Sequence, residues 1–416
     1  MNALSLTERN FKMRILIIHQ HDPAINHVGG VGTYINTFIK YAPSDFKVSL
    51  VGVTTDSKKR PLGKWQEFRL DETTFDYLPL VEAHPTYHGR VPLSLSFTWE
   101  LWRKRRQIDF TNALVELHRI EPELALRDIA GCKKVLFFHT HSQDLYHKQT
   151  EVFWKHFPWA YFELEKRLIR NMTQCYSVRE DLIEWYHKRY PGLIKNFMFV
   201  PTWVDEDVFR SMPETERRQS RESLAQEHKL DPASKWILYV GRFEQQKDPF
   251  LLLKSFQALN RELPNTQLIM VGGGSMEPEI HSWIETHHLK NKVSLIKPQS
   301  QAVIADWMNA SDCLALTSAY EGMPRAVLEA LQCGLPVVAV DEGETARLVT
   351  GPSVGCLVKT RDPETFSQSM AWLLDQTPDR AACQNAARPF AAKKILDELF
   401  ASYRALQKEE LLCHAA

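Results

Sequence analysis

The chain has 416 residues, 44% hydrophobic and 25% charged, an ordinary balance for a soluble globular protein of about two to four domains, with two expected. Lysine plus arginine equals aspartate plus glutamate at 51 each, so no global charge favours a nucleic-acid partner. The seven cysteines (Cys132, Cys175, Cys313, Cys333, Cys356, Cys383 and Cys413) include no C-x-x-C pair, the start MNALSLTERNFK lacks a signal-peptide core, and no apolar run approaches the roughly 20 residues of a membrane span, which together predict a reduced, cytoplasmic chain without structural zinc.

Met13–Gln20 (MRILIIHQ) is the first strong strand, followed by Gly29-Gly30-Val31-Gly32 and a helical pattern from about Thr33 to Tyr41. A strand, a glycine-rich turn and a helix start make a phosphate or substrate loop, although the glycine spacing fits the dinucleotide fingerprint poorly. A turn that only lets a helix pack closely on a sheet explains the same residues. Lys47–Thr54 is a second strand, and short strands are expected near Trp65–Leu70 and Tyr77–Leu80 within an otherwise irregular 55–95 stretch. Phe97–Ile120 reads as one segment carrying Trp99, Trp102 and the run Arg103-Lys104-Arg105-Arg106. Aromatics beside a basic cluster suit contact with anionic membrane lipid or an anionic acceptor; a solvated helix face is the plainer reading.

Val135–Thr140 is a strand that opens into His139-Thr140-His141, and a histidine at the carboxyl end of a strand is well placed for a ligand site. H-x-H could form half a metal site, but no nearby carboxylate or cysteine has convincing ligand spacing, and no metal is expected. Glu151–Arg170 is an aromatic-rich helix, followed by strands Gln174–Val178 and Phe197–Val200 and the passage Pro201-Thr202-Trp203. Asp205-Glu206-Asp207 has the D-x-D form that holds a divalent ion in some sugar transferases; a surface loop accounts for it as well.

After a polar linker and surface helix in 213–235, strand–helix alternation restarts. Strands fall at Trp236–Val240, Gln267–Val271, Val293–Ile296, Cys313–Thr317 and Pro336–Val340, with helices at Pro249–Asn260, Glu277–His287, Gln301–Met308 and Pro324–Gln332. Two runs of alternating elements predict two doubly wound parallel-sheet domains. A last helix, about Pro389–Glu409, carries an apolar stripe through Ile395, Leu399 and Tyr403, with Leu396, Phe400 and Leu406 alongside.

The chemistry concentrates in two loops. Arg242 and Lys247 follow the strand ending at Val240, where parallel sheets bind ligands, and offer phosphate oxygens a planar fork and a mobile point charge. In EGMPRAVLEALQCGLPVVAV (321–340), a loop enters a helix at Pro324, which stops at Gly334 before a buried strand. Unpaired N–H groups at that helix start attract anions, and Glu321 and Glu329 flank them, with Arg325 and Gln332 on the face of Glu329. A capped helix with two solvated glutamates is the bland alternative.

GRFEQQKDP, VGGGS and EGMPRAVLEALQCGLPVVA, in that order and spacing, resemble the family-4 type of retaining glycosyltransferases with the two-Rossmann-domain architecture called GT-B. The resemblance is strongest from Trp236 to Val340, where the E-x7-E pattern is specific, and weaker in the first half. It implies an N-terminal acceptor-binding domain over 1–207, a nucleotide-sugar domain over 208–388, and a 389–416 helix crossing back to the first domain. It implies that Arg242 and Lys247 neutralise the departing diphosphate of a UDP- or GDP-sugar, and that Glu321 holds the donor sugar. Gly322, Met323 and Pro324 lie beside that sugar, and Glu329 binds the ribose. Gly30 lies near the diphosphate or acceptor, His139 faces the reacting sugar, and Lys297 and Pro298 meet the base. No cofactor or metal is implied. The acceptor it suggests is a glycan or lipid-linked glycan in cell-envelope or polysaccharide synthesis, with peripheral contact at the inner membrane face. VPTWVD, GMP after Glu321 and Asp248-Pro249 depart from the family's commoner PNGVD, GFG and glycine. A sugar-nucleotide epimerase, a non-catalytic sugar-nucleotide-binding subunit and a nicotinamide dehydrogenase are the rival readings.

Overall fold

The computed structural model describes residues 13–25, 30–83, 91–139, 153–192, 197–377 and 379–413. Gly29, Thr140, His141 and the start of the Glu151–Arg170 segment lie outside them. Eight strands build the first sheet: β1 (Met13–Ile18), β2 (Phe46–Thr54), β3 (Gln66–Leu70), β4 (Thr73–Glu82), β5 (Ala113–Leu117), β6 (Lys133–Phe138), β7 (Gln174–Ser177) and β8 (Phe197–Phe199). Their order is β3-β4-β2-β1-β5-β6-β7-β8, parallel except where β3 turns back on β4. Six strands build the second: β9 (Lys235–Val240), β10 (Thr266–Val271), β11 (Val293–Ile296), β12 (Cys313–Leu316), β13 (Val337–Val340) and β14 (Gly355–Val358), ordered β11-β10-β9-β12-β13-β14 and parallel throughout. The chain is a pair of Rossmann-like parallel-sheet domains, as the alternating pattern predicts.

Strand order reverses beside β1 in the first sheet and beside β9 in the second. Loops leaving neighbouring strands there diverge to opposite faces and open a crevice, the standard ligand position in such sheets. The period of two fills both faces of each sheet. Ile15 and Ile17 enter one core of the first domain, Leu16 and Ile18 the other. Trp236, Leu238 and Val240 of β9 face one core of the second domain, Ile237 and Tyr239 the other.

The 97–120 segment is not one unit. A helix runs from Leu93 to Lys104, and the chain then forms β5, a central strand buried at every residue. ALVEL misleads because Ala, Leu and Glu are good helix formers and Glu116 reads as a solvent-facing residue, whereas its burial is complete. Pro324 also sits one place earlier than expected: it precedes the Arg325–Gln332 helix with extended backbone. The end matches expectation. Gly334 takes φ +76°, Leu335 N bonds Ala330 O at 2.8 Å and Gly334 N bonds Leu331 O at 2.9 Å, the paired closure that needs a left-handed residue.

Asp205-Glu206-Asp207 is a turn at the surface, with Asp205 buried and Asp207 exposed, whose carboxylates are tied down by cations and backbone N–H groups. Asp205 is buried, taking Lys40 Nζ at 2.7 Å and Tyr41 Oη at 2.8 Å; Asp207 takes Tyr41 Oη at 2.7 Å and Lys393 Nζ at 3.0 Å. Glu206 accepts the backbone N–H groups of Ala392 and Lys393. Val204 and Ala391 pair beside them, so both passages between the domains run side by side. The final helix, Ala392–Cys413, then lays Ile395, Leu396, Leu399, Phe400 and Tyr403 into the first-domain core against Phe38 and its neighbours. Replacing Phe400 by alanine is expected to cost about 3–5 kcal/mol in chemical denaturation, as for a fully buried core phenylalanine. A cost below about 1 kcal/mol would mean that this helix is only loosely docked.

Candidate active site between the domains

An open cleft with a cavity volume of about 240 Å³ separates the domains. Its walls include Gly30 and Tyr34 of the first helix (Gly30–Lys40), His139, and, from the second domain, Arg242, Lys247, the 321–326 stretch and Glu329. Arg242 and Lys247 arrive there because β9 ends at Val240, at the reversal in strand order. Arg242 is exposed and donates to Gln246 Oε1 at 3.0 Å. Lys247 reaches over the cleft floor, where its Nζ donates to Glu321 Oε1 at 2.5 Å. The residue after it, Asp248, adopts φ +44°, which explains why glycine suits this position. Aspartate tolerates it here by capping the Pro249–Glu262 helix at Leu251 N, 3.1 Å away, and pairing with Arg361 at 2.5 Å.

The loop carrying Glu321 is locked through its carbonyls. Arg361 holds those of Thr317 and Ser318, Gln246 that of Tyr320, and Arg179 of the first domain that of Glu321. Gly322 is required by close approach: a Cβ there would stand 2.0 Å from the carbonyl oxygen of His139. Met323 and Pro324 are buried and line the cleft just before the 325–332 helix. Glu329 lies one turn in, also buried, with Arg325 Nη2 at 3.3 Å. Burial holds the Glu329 carboxyl above its usual range, with the Arg325 guanidinium pulling the other way. Nε and Nη1 of Arg325 are buried without a hydrogen-bond partner.

Of the residues foreseen, Gly30, His139, Arg242, Lys247, Glu321, Gly322, Met323, Pro324 and Glu329 share this one cleft. Lys297 and Pro298 do not line it; they are exposed past the end of β11, with Pro298 beside Gly273. Gln301 and Ile304 of the Gln301–Ala310 helix form the wall there instead. Tyr34 and Thr202 were not foreseen as lining residues, nor was the ring behind His139. His118, at the end of β5, places Nδ1 2.8 Å from His139 Nε2. Burial, His118 and Arg325 keep the His139 imidazole neutral, well below its ordinary pKa. Among the described residues no group of three or more His, Cys, Asp or Glu side chains could hold a metal ion.

Residues 220–390 match the family model described as Glycosyl transferases group 1. Over 225 residues the chain is 32% identical to D-inositol 3-phosphate glycosyltransferase 2 of Catenulispora acidiphila, covering 52% of this chain and 49% of that protein. It is 24% identical over 323 residues to the lipopolysaccharide core biosynthesis mannosyltransferase LpsB of Rhizobium meliloti, covering 74% and 80%. The chain spans about half the length of the curated relatives it matches first. Sucrose-phosphate synthase from Thermosynechococcus elongatus superposes with a TM-score of 0.77 at 19% identity, covering 95% of this chain and 99% of that one. The fold is GT-B. In GT-B terms, the cleft is the gap between the two Rossmann-like units, and the matched region supplies its charged floor.

Glu329→Ala leaves the buried Arg325 guanidinium with no carboxylate, and is expected to cost about 3–5 kcal/mol. The double variant Arg325→Met, Glu329→Leu, which removes both charges, is expected to recover most of that loss in the same denaturation assay.

Proposed function

We propose that the protein transfers a sugar from a nucleotide-diphosphate donor, a UDP- or GDP-sugar, to an alcohol acceptor, retaining configuration at the anomeric carbon. The observation that carries this reading is the meeting of Arg242, Lys247 and Glu321 at the start of the 325–332 helix, across one cleft from His139. The second domain grips the donor and the first presents the acceptor. Two cations and the helix start stabilise charge developing on the diphosphate, which makes the reaction metal-independent. Lys247 has three N–H groups, enough to serve a phosphate oxygen while steadying Glu321. Glu321 then accepts from sugar hydroxyls and Glu329 from the ribose. Same-face attack, with the leaving phosphate taking the acceptor proton, fits a site in which Lys247 already occupies Glu321 Oε1 and the other carboxyl lining the cleft, Glu329, is paired with Arg325.

Thermal stabilisation by UDP-, GDP- and ADP-sugars identifies the donor. Lys247→Ala and Glu321→Ala are each expected to lower turnover by on the order of 100–1,000-fold. Near-normal rates in both, or isomerised donor formed without acceptor, would overturn the assignment.

The acceptor in this reading is a glycan or glycolipid of cell-envelope or polysaccharide synthesis, met at the inner membrane face. Support comes from Trp99 and Trp102, stacked at 5.2 Å and 60% and 47% exposed, beside Arg103 and Lys104. No helix among the described residues is long and apolar enough to cross a membrane. Vesicles containing anionic lipid are expected to bind the protein, and Trp99→Ala with Trp102→Ala to weaken that binding. Binding unchanged by that pair and by neutralising Arg103–Arg106 would remove membrane contact from the proposal.

A further inference from the structure

The two chain passages that join the domains run side by side, with Val204 paired to Ala391, so they act as one hinge. How the domains seat against each other is left to contacts made elsewhere. One set of these meets the Glu321 loop from behind. The chain leaves β13 at Val340 and turns at Gly343, which takes φ +60°; a Cβ there would stand 2.4 Å from the carbonyl oxygens of both Glu321 and Gly322. The next residue, Glu344, donates its backbone N–H to Gly322 O at 2.9 Å. Its side chain crosses to the first domain. There Oε1 accepts the backbone N–H of Glu180 at 3.0 Å, while Oε2 accepts from Arg347 Nε at 2.9 Å. Arg347 Nη2 in turn meets Glu180 Oε2 at 2.6 Å, and its guanidinium lies 5.0 Å over the Phe199 ring of β8. Arg179 completes the set by donating Nη1 to Glu321 O at 2.9 Å.

Glu180 is the first residue of the Glu180–Arg189 helix, whose first N–H groups need acceptors from outside the helix. The side chain before it, Arg179, caps none of them. Glu344 takes that role from the other domain, as a carboxylate at the positive end of a helix. Its side chain is only 12% exposed, so the bond is shielded from water. Glu180 and Arg347 are 55% and 37% exposed, and an ion pair so open to solvent adds little by itself. The cap is therefore the contact that matters. Three hydrogen bonds now form a closed ring: Arg179 to Glu321 O, Glu180 N–H to Glu344, and Glu344 N–H to Gly322 O. Two of them cross between the domains. If the domains part, those two break together and the Glu321 carbonyl loses its hold.

We propose that Glu344 is a positioning residue that couples the seating of the Glu321 loop to closure of the domains, acting through Arg179 and Glu180. It stands outside the cleft lining and reaches the site through the loop's backbone. Arg242, Lys247 and Glu329, which grip the phosphates and ribose in the transfer reading, all belong to the second domain and keep their places when this clasp opens. Its loss is therefore felt in the transfer step rather than in donor binding.

The catalytic meaning of the clasp rests on the transfer reading, but its first test needs no turnover. Hydrogen exchange of the full chain, read by peptide mass spectrometry, follows the amides at the start of the Glu180–Arg189 helix. Glu344→Ala is expected to speed their exchange on the order of 10-fold and to leave β9 and β10 unchanged. A residue that shapes only its own loop would not reach the first domain. Glu344→Gln, whose amide oxygen still accepts the Glu180 N–H, is expected to keep most of the protection. In the transfer assay Glu344→Ala should lower kcat on the order of 100-fold with donor KM little changed, and Glu344→Gln should recover most of that loss.

Glu180→Pro breaks the same bond from the other side, and serves if Glu344→Ala folds poorly. Proline has no N–H and suits the first position of a helix, and Arg179 already has the extended backbone (φ −128°, ψ 130°) that a following proline requires. Glu180→Gln, which keeps the N–H and loses only the carboxylate, should lower kcat by about 5-fold or less. Combined, Glu344→Ala and Glu180→Pro should be no slower than the slower single variant, because both remove one bond. Exchange in the first domain unmoved by Glu344→Ala overturns the proposal, as do near-normal kcat in both single variants, a loss confined to donor KM, or losses that multiply in the double variant. Faster exchange without any sugar transfer supports the clasp and overturns only the reading beneath it.

Discussion

The two halves of this molecule meet where a carbonyl oxygen rests against a glycine. His139, just past the end of β6, places its backbone oxygen where a side chain at Gly322 would have to be, and the absence of that side chain allows the domains to close this tightly. The rest of the site follows from that approach. Glu321 stands just before the glycine and the Arg325–Gln332 helix begins just after Pro324, so the closure fixes both relative to the His139 ring. Arg179 of the first domain holds the Glu321 carbonyl from the other side. The acidic residue that faces the cleft is thus positioned by both domains, although it belongs to one.

Charge is distributed unevenly across the cleft. The second domain contributes Arg242, Lys247 and Arg325 with Glu321 and Glu329, all within one lining. The first domain contributes aromatic and neutral groups: Tyr34, His139, and behind them His118 and Glu116 kept uncharged by burial. The ionised side chains therefore stand on one wall, while the opposite wall presents hydrogen-bonding and aromatic groups. The interdomain passages repeat the separation on a smaller scale, with Asp205 and Asp207 answered by Lys40 and Lys393 at the back of the cleft.

Most of the fold and the charged floor of the cleft were legible in the sequence, for local reasons. Apolar runs such as Val337–Val340 report burial on both faces, and Gly334 reports a helix end. Arg242, Lys247 and Glu321 stand in loops directly after strands, and the strand order turns that position into a cleft position. The misses share a cause. β5 was hidden because Glu116 looks like a surface residue, and its partners Tyr403 and His118 come from 287 residues away and from its own strand end. Asp205-Glu206-Asp207 is the loop it looked like, but its ties to Lys40, Tyr41 and Lys393 were hidden because those residues approach it only after the chain has folded. The resemblance, not the residues themselves, put the backbone around Lys297 and Pro298 at the base, and these two lie past the end of β11, outside the cleft lining named above. Spacing along a chain does not encode which distant side chains will meet.

The return of the final helix to the first domain has a consequence for how the molecule is made. Ile15, Ile17 and Phe38 share a core with Leu396, Leu399 and Phe400, so the Met13–Ile18 strand cannot be fully covered until about 380 further residues have been synthesised. The second domain, whose sheet and covering helices lie between, is complete before then. Synthesis at about 5–20 residues per second leaves that strip of apolar surface uncovered for on the order of 20 seconds or more. A chain that stops before residue 392 lacks the helix that covers this strip of apolar surface.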